Sequence, residues 1–315
     1  MEKNEQEKKS VGSLDTNFPA RNFSPALILP LKDNCLRRSV RSQILVILHA
    51  YHVDVAERMI CRLASLNAKE GDLRLRLVVT TDTEGKARKI EALLAHWTSC
   101  PPKEYVIDVH PNRGRNVAPF LAACKAYGQN DDVILHLHTK KSPHAPELSG
   151  WGEYLFDCLA GSREVLESVL TLLENHKIGL LYPAHYRSIV DQIKWGPNLH
   201  STQDMLKVLG VVIDSSTRLD FPSGMMFWTR LAALKPLLDM NLRPRDFEVE
   251  ARQTDGTLAH AIERAMIFIV ERSGHLSQSV LWDQRIDEYW CEGICVTSNQ
   301  VPDLLDGSRL LGNQF

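Results

Sequence analysis

The strongest constraint on the fold is a regular alternation of strand and helix patterns over residues 43–137. Gln43–His49 is a continuous aliphatic run, which is typical of a strand buried on both faces of a parallel sheet. Val53–Leu66 follows with apolar residues at helical spacing. The alternation continues with predicted strands at 73–80, 104–109 and 132–137 and predicted helices at 86–97 and 118–126. This order predicts an α/β domain with a mostly parallel sheet, whose ligands bind beyond the carboxyl ends of the strands.

The pattern is less regular after residue 150. It predicts helices at 151–159, 163–173, 230–238 and 256–272, and strands at 178–182 and 221–228. Gly224 lies inside the last of these strands, where a glycine allows a close backbone approach. We therefore expect helices flanking the sheet and a less regular second half.

Charge and composition exclude several classes of protein. The chain has 315 residues, and 37 Lys+Arg against 39 Asp+Glu give a formal net charge of −2, which does not support nucleic-acid binding. No stretch approaches the roughly 18–20 apolar residues of a membrane span. The charged N-terminus lacks the apolar core of a secretory signal, so we expect a cytoplasmic protein.

Three segments and a set of reduced thiols complete the predicted organisation. We expect a flexible N-terminal tail over 1–41, a single α/β domain over 42–282 and a C-terminal extension over 283–315. The seven cysteines are scattered and odd in number, which favours reduced thiols over a disulfide framework. Cys291 and Cys295 have CxxxC spacing but no second pair, so metal binding there has little support.

A basic loop follows the third predicted strand and precedes a helix. It contains Asn112, Arg113, Gly114, Arg115 and Asn116. The glycine permits a tight turn, and the guanidinium groups with backbone N–H groups suit a phosphate at a helix N-terminus. The alternative is a solvated basic loop that Asn116 caps.

A second basic segment follows the fourth predicted strand. His136 and His138 point to one face because strand side chains alternate, and Lys140 and Lys141 come just beyond them. These residues predict a clamp on a diphosphate, in which His138 is a phosphate donor or metal ligand. The alternative is two packed histidines and two exposed lysines.

A third segment begins the predicted helix at 256–272. Asp255 precedes it and is either an N-cap or a general base. His260 shares a helix face with Glu263 or Arg264, by i,i+3 or i,i+4 proximity.

These segments, taken in order, resemble the rhamnan synthesis protein F family over roughly residues 42–275. The motifs are NRGRN-x-APFL, LHLHTKKSPH, a tryptophan-led helix, FPSGMMFW and DGTLAHAIER. The resemblance implies a GT-A-like glycosyltransferase of bacterial surface polysaccharide synthesis, including lipopolysaccharide. It implies a nucleotide-sugar donor such as dTDP-L-rhamnose, a saccharide or lipid-linked acceptor, and an inverting reaction. Peripheral association with the inner face of the membrane is compatible with this role.

The resemblance also implies roles for single residues. His49, Tyr51 and Asp82 would hold the base and ribose, and the two basic loops would hold the diphosphate. Gly224 and His260 would line the donor site. Asp255 is the first candidate for the base, with Glu248 and Glu250 in reserve.

The expected metal motif of GT-A enzymes is absent from the sequence. The place of their Asp-x-Asp is taken by His138, Thr139 and Lys140, and an ammonium group repels Mg²⁺ or Mn²⁺. We therefore expect no required cofactor and weak or no dependence on a divalent metal.

Two other functions stay open. A catalytically silent module that binds a saccharide or nucleotide is favoured by the missing carboxylates. A nucleotidyltransferase on the same sheet has less support, because no glycine-rich phosphate loop follows the first strand.

Overall fold

Nine strands form a single sheet in the part of the chain that the structure describes. This computed structural model describes residues 23, 25–32, 43–68, 74–97, 101–130, 132–141, 146–175, 177–251, 253–289, 293–294, 297 and 300. The strands are β1 (Ala26–Leu29), β2 (Gln43–His49), β3 (Arg74–Thr81), β4 (Glu104–Val109), β5 (Val133–His138), β6 (Ile178–Pro183), β7 (Phe227–Arg230), β8 (Leu276–Trp282) and β9 (Gly293–Ile294).

The sheet is parallel except at one strand. Its order is β4-β3-β2-β5-β7-β6-β8-β1-β9, and only β7 runs antiparallel to its neighbours. The strands β4, β3, β2 and β5 are mutually parallel, so the loops after them meet at one edge. The predicted α/β class and mostly parallel sheet are confirmed.

Helices cover both faces of the sheet. They are α1 (Val53–Ala68), α2 (Glu84–Ala95), α3 (Val117–Tyr127), α4 (Trp151–Ala160), α5 (Arg163–Glu174), α6 (Leu199–Val208), α7 (Lys235–Asp239) and α8 (Leu258–Arg272). Along β2, Val46 and Leu48 join the core on the side of α1 and α4, whereas Leu45 and Ile47 join the core on the side of α3 and α8. This division explains the uninterrupted apolar run, because both faces of β2 are removed from water.

The N-terminal segment contains a strand that the sequence did not predict. Residues Ala26–Leu29 were assigned to a flexible tail, but they form β1, which is buried and pairs with β8 and β9. Four aliphatic residues between prolines give too short a pattern, and their partner β8 lies about 250 positions away. The other tail residues, apart from Phe23, Pro25 and 30–32, lie outside the described residues.

The predicted strand at 221–228 is wrong over most of its length. Only Phe227 and Trp228 of that run belong to β7, because Gly224 and Met225 have positive φ values of +86° and +51°. Two successive left-handed residues bend the chain out of the sheet.

The C-terminal extension contacts the domain where it is described. Arg285 forms an ion pair with Asp157 of α4, and Arg62 of α1 binds the same buried carboxylate. Cys291, Cys295 and residues 301–315 lie outside the described residues.

The burial of β1 generates a stability prediction. Leu27 is 0% exposed, so Leu27→Ala should lower the free energy of unfolding by about 2–5 kcal/mol, through lost burial and the cavity left behind. Val212→Ala is the control, because Val212 is 90% exposed and should change stability by less than about 0.5 kcal/mol. Denaturant unfolding measures both, and equal effects would contradict an ordered β1.

Candidate functional site

The predicted site residues between His49 and Lys141 lie at or beyond the carboxyl ends of four neighbouring parallel strands. His49 ends β2 and stands in register with Thr80 of β3 and with His138 of β5. Asp82 follows β3, and the loop 110–116 follows β4. The sheet register therefore brings together segments that are far apart in sequence.

Lys140 is half-buried, and charged side chains lie around it. Its ammonium nitrogen lies 3.8 Å from the ring centroid of Trp151 at the start of α4. Burial lowers the pKa of Lys140 to about 8, with the attraction of Glu263 opposing the shift and the charge of Arg115 adding to it. Lys140 and Arg115, which come from two different loops, are thus electrostatic neighbours.

Glu263 of α8 is the site residue that the sequence analysis did not select. Its carboxylate accepts a hydrogen bond from the Gly224 backbone N–H at 2.8 Å, and burial raises its pKa. The helix pattern put Glu263 on the same face as His260, but no local signal distinguishes an enclosed carboxylate from a solvated one. The turn around Gly224, 39 positions earlier, is what encloses it.

His138 forms a hydrogen bond to this turn. The imidazole Nε2 is 2.6 Å from the Gly224 carbonyl oxygen, to which it donates. Burial, assisted by the charge of Lys140, lowers the pKa of His138 to about 3, so the ring is neutral at physiological pH. Its Nε2 is therefore bonded to Gly224, whereas the sequence pattern predicted a phosphate or a metal ion as the partner of His138.

The basic loop 112–116 docks against residues 247–250. Arg113 donates to the Phe247 carbonyl oxygen at 3.1 Å and forms a backbone bridge with Val249. Gly114 has φ +64°, and a Cβ there would lie 2.5 Å from the Phe247 ring, so the close approach requires glycine. Asn112 is exposed, and Asn116 precedes α3 without a side-chain capping bond.

Arg115 is held by a carboxylate and a carbonyl group. Its backbone N–H donates to Glu250 at 3.1 Å, its Nε lies 3.6 Å from the same carboxylate, and its Nη2 donates to the Gln253 carbonyl oxygen. Glu250 therefore occupies the anion-binding groups that were predicted for a phosphate. This placement makes Glu250 a ligand of Arg115 rather than a free base.

The other two candidate bases differ in their surroundings. Both carboxylate oxygens of Glu248 lie 3.1 Å from the Leu258 N–H, so Glu248 caps α8. Asp255 accepts from Asn198 Nδ2 at 2.6 Å and pairs with Arg264 at 3.4 Å, and its side chain stays 30% exposed. Asp255 does not cap α8, whose N-cap is Thr257.

His260 lies on the first turn of α8. Its Nδ1 is 2.8 Å from the Thr257 hydroxyl oxygen. Burial lowers its pKa to about 4, with Arg115 adding to the effect and Asp255 opposing it. His260 is therefore neutral at physiological pH.

The ends of β2 and β3 form a separate polar cluster. His49 Nδ1 lies 3.0 Å from the Thr80 hydroxyl, and burial lowers the His49 pKa to about 4 against the attraction of Asp82. Lys86 pairs with Asp82 at 2.5 Å, and its ammonium lies 3.9 Å from the centroid of the half-exposed Tyr51 ring. Cation, carboxylate and aromatic ring are therefore in contact here.

Lys141 points away from Lys140. Its ammonium lies 2.7 Å from Asp54 on the first turn of α1. Lys140 therefore interacts electrostatically with Arg115, whereas Lys141 forms an ion pair with Asp54.

The donor atoms of this region do not fit a divalent metal. His138 Nε2 is bonded to Gly224, Thr139 Oγ1 accepts from the His52 N–H at 2.8 Å, and Lys140 is cationic. Among the described residues, no group of three or more His, Cys, Asp or Glu side chains is placed to bind a metal ion. We therefore assign no metal to any step.

The described residues include no helix that is both long enough and apolar enough to cross a membrane.

Similar solved structures are glycosyltransferases at low identity. The mannosyltransferase PcManGT from Pyrobaculum calidifontis, solved with GDP-Man and Mn²⁺, is 13% identical with a TM-score of 0.44, covering 84% of this chain and 60% of that one. Glucosyl-3-phosphoglycerate synthase from Mycobacterium tuberculosis, solved with Mg²⁺ and uridine diphosphate, is 15% identical with a TM-score of 0.37, covering 78% and 72%. At TM-scores this low the likeness carries no argument about the site.

Sequence relatives and a family model identify the chain more closely. The uncharacterized protein WxcX from Xanthomonas campestris pv. campestris strain B100 is 35% identical over 237 residues, which is 73% of this chain and 32% of WxcX. WxcX from a second strain of that pathovar matches over the same shares, so the chain spans about a third of the length of these relatives. The family model described as rhamnan synthesis protein F matches residues 18–275, which is most of the chain. The chain belongs to the rhamnan synthesis protein F family.

Proposed function

We propose that this chain is a glycosyltransferase that moves a sugar from a nucleotide sugar to a saccharide or lipid-linked acceptor. The proposal is supported by Lys140 and Arg115, which follow the neighbouring strands β5 and β4 and whose charges interact, and by Asp255, which together with Arg115 influences the pKa of His260. Two cations from different loops suit a diphosphate, and a part-exposed carboxylate nearby suits the removal of a proton. Membership of the rhamnan synthesis protein F family favours dTDP-L-rhamnose as the donor and a cytoplasmic site of action.

The proposed reaction is an inverting displacement. The acceptor hydroxyl oxygen forms a bond to the anomeric carbon while the bond from that carbon to the diphosphate oxygen breaks. Asp255 takes the hydroxyl proton, and Arg115 with Lys140 stabilises the charge that develops on the leaving nucleoside diphosphate. His49, Asp82 and Tyr51 contact the base and ribose from the neighbouring cluster.

A silent binding module is the second candidate. It is favoured by Glu250, which occupies the Arg115 N–H and guanidinium groups that would otherwise meet the diphosphate. Release of dTDP from dTDP-L-rhamnose, with UDP- and GDP-sugars compared at equal concentration, distinguishes the two. Nucleotide binding without turnover, with and without added saccharide acceptors, would favour the silent module.

Asp255→Asn tests the base. Asn keeps an oxygen for Asn198 and similar size, so the fold should persist while turnover falls roughly 10²–10⁴-fold. Asp239→Asn is the control, because Asp239 is exposed and its carboxylate pairs with the exposed Lys235 on α7. Near-normal turnover by a folded Asp255→Asn protein would remove Asp255 as the base.

The pH dependence of donor binding tests Lys140. Its charged form is needed by the diphosphate and is lost as the pH rises through about 8, so donor affinity should weaken above that pH. The groups that face Lys140 are Glu263 of α8, Arg115 before α3 and Trp151 of α4, with His138 at the end of the preceding strand β5. Lys140→Arg keeps a cation at high pH and should move the decline upward. Calorimetric titration of the wild type and this variant at pH 7 and pH 9 measures the effect, and identical pH profiles would contradict the assignment.

Chelation tests the metal expectation. Because Lys140 stands where a metal ligand would be needed, EDTA should leave transfer within about twofold of its untreated rate. Loss of transfer on chelation and its recovery with Mn²⁺ would overturn this prediction.

A further inference from the structure

His185 connects an aspartate and a serine beside the candidate site. It follows β6, is 5% exposed, and has both ring nitrogens bonded. Nδ1 lies 2.9 Å from Ser223 Oγ, and Nε2 lies 3.1 Å from Asp220 Oδ1. Because a carboxylate only accepts, Nε2 carries the proton, and in the neutral ring Nδ1 accepts from the Ser223 hydroxyl.

The imidazole is fixed on its other sides as well. The rings of Phe23 and Phe221 contact it edge-on, with centroids 4.6 Å and 5.9 Å away. Tyr182 makes a further side-chain hydrogen bond to Asp220. Ser223 is only 2% exposed, so its hydroxyl is closed to a substrate and a role in positioning follows.

Ser223 begins a turn that reaches the candidate site in the next residue. Gly224 and Met225 are both left-handed, a conformation that is unfavourable for a residue with a side chain such as Met225. A Cβ on Gly224 would lie 2.7 Å from Leu155, so the turn has no free space on that side. The Gly224 N–H donates to Glu263, and its carbonyl oxygen accepts from His138.

We propose that the Asp220–His185–Ser223 chain is a positioning device that holds the turn 223–225 and thereby fixes the Glu263 carboxylate, whose charge acts on the Lys140 ammonium. Asp220, His185 and Ser223 act through the Gly224 N–H and touch no substrate. Glu263 in turn keeps the Lys140 ammonium charged and placed for a diphosphate, a step that rests on the proposed function. The device itself is independent of that function, since it concerns contacts within the free protein.

The reactivity of Lys140 in the free protein tests the device without any donor. Competitive acetylation with acetic anhydride over a range of pH, followed by mass spectrometry, reports the pKa of Lys140. Glu263 raises the pKa of Lys140, so Glu263→Gln should lower this pKa. Ser223→Ala should also lower the pKa of Lys140, by about half a unit or more. Asp220→Asn should do the same to a smaller extent, and it carries the test if Ser223→Ala does not fold.

Ser168→Ala is the matched control. Ser168 is also 2% exposed and hydrogen-bonded, but it joins α5 to the segment after β1, away from Lys140. It should lower the melting temperature as Ser223→Ala does and leave the pKa of Lys140 unchanged. An unchanged pKa in Ser223→Ala, an unchanged pKa in Glu263→Gln, or an equal shift in Ser168→Ala would each overturn the proposal.

Measurement of turnover distinguishes a failure of the positioning device from a failure of the proposed reaction. If the wild type releases dTDP from the donor, Ser223→Ala should lower kcat roughly tenfold, and Ser168→Ala should not. If the wild type has no such activity but the acetylation results hold, the donor chemistry is wrong and the positioning device stands.

Discussion

The burial of β2 on both faces, with hydrogen bonds to β3 and β5, is the constraint on which the site depends. This pairing runs in register from Ile44 to His49 and fixes the level at which three strands end. The loops that follow carry the polar groups, while apolar burial on both faces stabilises the strands. Backbone pairing therefore sets the position of Lys140 relative to the end of β2. Its charge state depends instead on burial and on the neighbouring Glu263 and Arg115.

Burial shifts the pKa values of the site residues more than neighbouring charges do. Burial is the largest influence on the pKa of His138, Lys140, His260 and Glu263. Such groups interact strongly because the local dielectric constant is lower than that of water. The neutral histidines act as hydrogen-bond donors or acceptors to fixed partners, and the charge of the region rests on Lys140, on Arg115 paired with Glu250, and on the other carboxylates.

Much of the sheet could be predicted from sequence, because continuous apolar strands and amphipathic helices leave strong local patterns. Gln43–His49 and Glu104–Val109 are strands over the ranges predicted. β1 was missed because a four-residue strand has no periodicity and its pairing is non-local. The hydrophobic residues around Gly224 and Met225 predict a strand, but no sequence pattern reveals the two left-handed conformations that form a turn there.

The candidate site was predictable only in part, because some of its contacts depend on segments far apart in the sequence. Residues directly after strands could be located, since the sheet places them, and the charges of Lys140 and Arg115 interact. Side-chain direction was not predictable from sequence. Two examples are the ion pair of Lys141 with Asp54 and the hydrogen bond that Glu250 accepts from the Arg115 N–H. Glu263 depends on a turn elsewhere in the chain, which no pattern within α8 reports.

The most direct test of the account is a crystal structure of the protein with dTDP bound. The account predicts that the diphosphate oxygens lie within hydrogen-bond distance of Lys140 Nζ and the Arg115 guanidinium, with Asp255 facing the open side of the β-phosphate. A diphosphate bound away from both cations, at occupancy sufficient to be seen, would contradict it.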